Sequence, residues 1–189
     1  MNEVVPGIRR LCIAVAADRS LGGILDEACL AADVQCAHWI ARPEGDEFAV
    51  FPPGIDEVRV VGDLVRGLRL TVGRMNAGAV ARTRLRVALH QGITRCDERG
   101  YGGRAVEKAC GLRDADIVER ELAENPHADF ALIISAELFD DVVGDDGAEG
   151  LDLTAFRQVV VPGSGFLAWV STSAALPLPL TFPAAAGPR

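Results

Sequence analysis

VQCAHWIARPEGDEFAVFP, residues 34–52, reads as two short apolar runs closing on a tight turn. Residues 34–42 and 47–52 have strand character, and Pro43-Glu44-Gly45-Asp46 between them supplies turn chemistry. Strand, turn, strand is a hairpin, with Asp46 at or beside its tip. What flanks the hairpin decides the fold. Upstream, RRLCIAVAA (9–17) is a buried-strand run, and LGGILDEACLAA (21–32) places Leu21, Ile24, Leu25, Cys29 and Ala32 near one helical face. Downstream, Pro52-Pro53-Gly54 ends the strand. Asp56 then suits an N-cap for a helix over 57–73, with Val58, Val61, Leu64, Val65 and Leu68 inward. TRLRVALHQGI (83–93) is the next strand.

The order β-α-β-β-α-β is the split βαβ arrangement of ferredoxin-like folds, so the class is α/β (α+β in stricter usage) with a mainly antiparallel sheet. A polar loop, TRCDERGYGG (94–103), leads to helices near 104–112 and 115–125. ADFALIIS (128–135) is a strand and AELFDDVV (136–143) a short helix. FRQVVV and FLAWVST, split by Pro162-Gly163-Ser164-Gly165, form a last hairpin. The expected organisation is one domain over 1–173 and a Pro/Ala-rich, disordered tail over 174–189.

The 189 residues, 49% of them hydrophobic, suit a single core. The net charge is −8 and Lys108 is the single lysine. An acidic chain without a basic run argues against nucleic acid and anionic membranes as partners. No two of Cys12, Cys29, Cys36, Cys96 and Cys110 show CxxC spacing, which points to free thiols and a cytoplasmic location. The N-terminus shows no signal peptide, and the apolar runs are too short to span a bilayer.

The β-α-β-β order brings the end of the first strand, Asp18, near the hairpin tip that carries Asp46. Two carboxylates about 4 Å apart repel by roughly 4 kcal/mol at an effective dielectric near 20. A site that keeps both ionised normally holds a cation, and Mg²⁺ commonly takes one or two carboxylates plus substrate phosphates. Ser20 and the glycines after it offer backbone N–H groups at a helix start, where phosphate can rest. The plainer reading is that each aspartate is a strand-end cap or turn residue.

Five segments in order resemble the catalytic domain of class III nucleotidyl (adenylate and guanylate) cyclases: IAVAADRS, EGDEFAVFP, LRVALHQGI, GYGGRAVEKACGL and ALIISAELFDDVV. The match runs from about residue 9 to 172. GDEFAVFP is also similar to the motif of diguanylate cyclases, but the later segments fit class III better. The resemblance implies that Asp18 and Asp46 ligate Mg²⁺ or Mn²⁺. It implies that Ser20, Arg42 and Gly45 contact a nucleoside triphosphate, with Arg42 where purine cyclases usually carry a base-reading lysine. It implies a 3′,5′-cyclic nucleotide and pyrophosphate as products, and a dimer, of two copies or with another cyclase-like chain, that shares its sites.

Four positions depart from that pattern. The ribose-orienting asparagine falls on Glu107, the transition-state arginine on Gly111, the base-specifying aspartate on Gly100 and the polyphosphate lysine on Pro162. Losing one such donor typically costs roughly 10²–10³-fold in rate. Arg113 is a candidate replacement for the arginine. It lies two residues past the family position, about 200° around a helix. The expected function is therefore a divergent cyclase-like domain that binds a nucleoside triphosphate with Mg²⁺ or Mn²⁺. The alternative is a catalytically inactive cyclase-fold scaffold for dimerisation, signalling or protein interaction. The changed positions Arg42 and Gly100 also permit another base, as in a pyrimidine cyclase.

His38, His90 and His127 lack metal spacing, and His90 reads as structural. Ser164 lies outside any nucleophile-elbow frame. The acidic run DDVVGDDGAEG (140–150) lacks EF-hand order and reads as a solvated loop.

Overall fold

The computed structural model describes residues 7–18, 24–34, 38–41, 46–98, 100–143 and 149–175. The elements run β1 (Ile8–Ala17), α1 (Ile24–Ala31), β2 (His38–Ala41), β3 (Glu47–Val50), α2 (Glu57–Asn76), β4 (Leu85–Asp97) and β5 (Gly100–Gly102). They continue with α3 (Arg104–Arg113), α4 (Asp116–Glu124), β6 (Phe130–Ser135), α5 (Ala136–Val143), β7 (Arg157–Val160) and β8 (Leu167–Ser173).

Seven strands pair in the order β2-β3-β1-β4-β6-β8-β7, and β5 pairs separately with β4. The β2-β3-β1-β4 half is the split βαβ order expected from the sequence. β3 runs antiparallel between β2 and β1, so β1 and β2 are parallel with β3 inserted between them. The β4–β6 pair is parallel, whereas the other paired strands are antiparallel. The sheet is therefore mixed and mostly antiparallel.

Strand alternation gives the sheet two unlike faces. One face carries Leu11, Ile13 and Val15 of β1, Leu85, Val87 and Leu89 of β4, and Phe130, Leu132 and Ile134 of β6, packed with α1, α2 and α5. Each such side chain contributes roughly 2 kcal/mol by leaving water. The other face carries Cys12, Ala14, Ala88, Ala131 and Ala168, covered by Ala105, Ala109, Cys110 and Leu112 of α3 and by Val118 and Leu122 of α4. Small residues on this side give the helices room to lie close to the sheet.

Capping and glycines set the helices. The Asp56 carboxylate accepts the Arg59 N–H at 3.1 Å and starts α2, as expected. Helix α2 is buried over a wide arc, from Val60 round to Gly62, because its glycines admit neighbouring backbone. A Cβ on Gly67 would meet the Ala28 carbonyl oxygen of α1 at 2.5 Å. Val58, expected inward, stands in the first turn and is 41% exposed, while Val60 is buried in its place. The polar stretch 94–103, expected to be a loop, instead extends β4 to Asp97 and folds back as β5, with Cys96 opposite Tyr101. Arg95 and Cys96 are exposed and Gly100–Gly102 half-exposed, so no apolar alternation announces the pairing. Gly103 enters α3 at φ +106°, a conformation open mainly to glycine.

None of Cys12, Cys29, Cys96 and Cys110 is in a disulfide, and Cys36 lies outside the described residues. Burial first, then the neighbouring Cys110, pushes the Cys12 thiol up to about 12 against the pull of Arg10, so it behaves as a small core hydrophobe. Among the described residues, no helix is long and apolar enough to cross a membrane.

Candidate functional site

The β1–β3 register brings Asp18 and Asp46 to one end of the sheet. Val15 pairs with Glu47, so one further step puts Asp46 opposite Ala16 and two residues from Asp18 along β1. By alternation these even-numbered positions share the face that carries Ala14, Phe48 and α3.

Arg113, the last residue of α3, meets this corner. Its Nη2 lies 2.8 Å from Asp46 Oδ2. Its Nε and Nη2 also grip Asp114 Oδ1 and Oδ2 at 2.8 and 2.7 Å, a bidentate fork. Arg113 is 2% exposed and Asp46 is 23% exposed. Burial works against the guanidinium charge. The hydrogen bond and field of Asp114 and the field of Asp46 more than offset it, so the pKa rises. Asp18 is exposed and structurally engaged. Its Oδ1 accepts the Arg84 N–H at 3.0 Å and its own N–H donates to the Arg84 carbonyl at 3.3 Å, continuing the β1–β4 ladder. The Arg84 side chain in turn donates to the carbonyls of Ala128 and Asn125, both at 3.0 Å, and to that of Leu122.

A groove of about 860 Å³ lies between β4, α3 and the β7–β8 turn. Glu107, Gly111 and Pro162 all line it, as do Arg104, Asp116 and Phe166. On its wall, Lys108 Nζ lies 2.8 Å from Glu137 Oε1 and 4.4 Å from the centre of the Phe166 ring. Burial tends to raise the Glu137 pKa, and the Lys108 hydrogen bond and charge more than reverse that, leaving it lowered. His90 is buried and its Nδ1 lies 2.8 Å from Ser135 Oγ. Burial, then the nearby Lys108 charge, pushes the His90 pKa down to about 4 against the opposing pull of Glu137, so the ring is neutral at pH 7. Asp18, Asp46 and Arg113 do not line the groove.

No family model matches the sequence, and no curated protein does. Solved structures do. The chain is similar to an adenylate/guanylate cyclase/hydrolase from Silicibacter pomeroyi, with TM-score 0.59 and 16% identity over 89% of this chain and 99% of that one. The catalytic core of a rhodopsin-guanylyl cyclase with converted specificity, in complex with ATPαS, gives TM-score 0.58 and 12% identity over 92% of this chain and 100% of that one. The guanylate cyclase domain of RhGC from Catenaria anguillulae, in complex with GTP, gives 0.54 and 11% over 89% and 97%. This is the class III nucleotidyl cyclase fold.

Within the cyclase fold, two groups of residues singled out in the sequence stand apart in one chain. The groove gathers Glu107, Gly111 and Pro162, three of the four positions that depart from the cyclase pattern. The corner gathers Asp18, Asp46 and Arg113. Ser20, Arg42 and Gly45 lie outside the described residues. Arg113 is turned away from the groove that Gly111 lines, as two steps on a helix require. Of the residues that arrange the corner and groove walls, Ser135 and Glu137 lie in the cyclase-like segment ALIISAELFDDVV, whereas Arg84 and Asp114 lie in none of the five. Lys108 stood out in the sequence as the single lysine, within the segment GYGGRAVEKACGL.

As far as the described residues go, with Arg113 in place the corner does not fit a divalent cation. Asp46 already has a cationic partner and Asp18 accepts a backbone N–H. Among the described residues, no three His, Cys, Asp or Glu side chains are grouped as metal ligands.

Proposed function

We propose that this chain is a cyclase-fold interaction module, which pairs with a second copy or another cyclase-like chain and does not cyclise nucleotides. One observation carries the reading: the groove presents carboxylates where a triphosphate needs cations. Glu107 and Asp116 line it, Gly111 and Pro162 bring no charge, Lys108 is held by Glu137, and the Asp114 carboxylate, also in the lining, is held by Arg113. Arg104 remains as a basic group on that wall. Phosphoryl transfer depends on cationic and hydrogen-bonding groups around the phosphate oxygens, so this lining disfavours it. Apolar side chains at the rim support a partner surface. Ile93 is 62% exposed and Phe166 42%, and Val160 and Leu167, cross-strand neighbours on β7–β8, are 62% and 47% exposed.

A second reading keeps the chain as a divergent cyclase. In it Asp18 and Asp46 ligate Mg²⁺ or Mn²⁺, and Ser20, Arg42 and Gly45 contact a nucleoside triphosphate. The placing of both aspartates at one end of adjacent strands favours it. In the first reading Arg113 has no catalytic part and only holds Asp46. In the second it supplies a positive charge beside the corner.

The deciding experiment incubates the protein with ATP, GTP, CTP and UTP, each with Mn²⁺ and with Mg²⁺, and looks for cyclic monophosphate by mass spectrometry. The Asp18→Ala/Asp46→Ala double variant is the control. No product from any of the four is expected. A product that disappears in the double variant establishes the cyclase reading and names the base.

A further inference from the structure

We propose that Arg113 is a resident counter-cation that holds the Asp46 carboxylate and keeps a divalent cation out of the β1–β3 corner. The inference rests on reading that corner as the counterpart of a cyclase metal corner, and it deepens the interaction-module reading by naming what closes the corner.

The pair is lopsided. The Asp46 side chain is 23% exposed, while Arg113, at 2%, lies behind it in the protein. A metal ion arriving from solvent therefore meets the carboxylate with a fixed positive charge at its back. That charge is well anchored. Asp114 takes the guanidinium edge with two hydrogen bonds, and the same Nη2 reaches Asp46. A planar fork engaged in this way has one orientation that satisfies both carboxylates.

The helix beneath adds to the anchoring. Arg113 ends α3, where the carbonyl dipoles favour a cation. Ala109, Cys110 and Leu112 just before it are buried against the sheet. The guanidinium is enclosed by protein, and an arginine does not escape the clash by losing its proton. Asp18 offers a metal ion little compensation while its Oδ1 holds the Arg84 N–H.

Mn²⁺ alone is the probe, with no nucleotide present, and free Mn²⁺ is followed by electron paramagnetic resonance. The full chain is compared as wild type, Asp46→Asn, Arg113→Met and the Arg113→Met/Asp46→Asn double variant. Wild type and Asp46→Asn are expected to bind Mn²⁺ equally poorly. Arg113→Met is expected to bind at least tenfold more tightly, and the double variant to lose that gain. The proposal is overturned if wild type binds tenfold or more tightly than Asp46→Asn. It is also overturned if a folded Arg113→Met, checked by circular dichroism, gains nothing. Should Arg113→Met unfold, the comparison of wild type with Asp46→Asn decides alone. Asp46-dependent Mn²⁺ binding without cyclic product removes this inference and leaves the interaction module. Cyclic product with Asp46-independent Mn²⁺ binding does the reverse.

Discussion

His90 Nδ1 and Ser135 Oγ are 2.8 Å apart, one residue beyond the last parallel pair, Leu89–Ile134, that joins β4 to β6. The bond lies between two buried residues, one of them on the groove wall, and it ties the two halves of the sheet together.

That burial has a pH consequence. The pKa of His90 is pushed from 6.5 down to about 4, so the unfolded chain takes up a proton that the folded chain refuses between those values. Stability is therefore retained above the unfolded value and lost as pH falls from about 6.5 toward 4, by up to roughly 3 kcal/mol. Urea unfolding of the wild type and His90→Gln across that range checks this. The difference between them should shrink steadily on acidification, and a constant difference rules out His90 as the cause.

Two glycines on different helices should respond oppositely to the same methyl group. Gly67→Ala drives a Cβ toward the Ala28 carbonyl and should destabilise the protein by about 1–3 kcal/mol. Gly111→Ala meets nothing within 4 Å and should stabilise α3 by up to about 1 kcal/mol. Thermal melts of the two variants suffice.

Restoring charge to the groove should restore affinity for a triphosphate. The Glu107→Asn/Gly111→Arg/Pro162→Lys variant replaces one carboxylate and adds two cations to the lining. Its affinity for ATP, measured by calorimetry, should exceed that of the wild type at least tenfold, with a steep loss at high salt. Equal affinities would show that the lining charge is not what limits binding.

The exposed rim should govern self-association. Ile93→Asp/Phe166→Asp places two carboxylates in the apolar surface beside the groove. Sedimentation is expected to find the wild type dimeric and this variant, at the same concentration, monomeric. A dimer of undiminished strength would place the interface elsewhere.

Much of the sheet was legible in the sequence because its strands are nearly unbroken apolar runs. Leu11–Ala16 and Phe130–Ile134 admit few readings, and Pro162–Gly165 marks a turn by composition alone. Val58 and β5 escaped for one shared reason. Their states depend on where the packed surface ends, and local periodicity carries no record of that. The corner was half legible. Strand order brought Asp18 toward Asp46, and helix arithmetic turned Arg113 away from Gly111. That Arg113 would meet Asp46 depends on how α3 lies across β3, a tertiary fact. Asp114 was hidden more simply, since a carboxylate in an acidic chain draws no notice until its cation is beside it.

Helix α3 serves both places at once. It spans ten residues, about 15 Å, with Glu107 and Gly111 on the groove wall and Arg113 at the corner. It rests on a sheet face where Ala14, Ala88 and Ala131 alternate with larger residues such as Phe48 and Ile133. One ten-residue helix therefore carries both a wall of the groove and the cation of the Arg113–Asp46 pair.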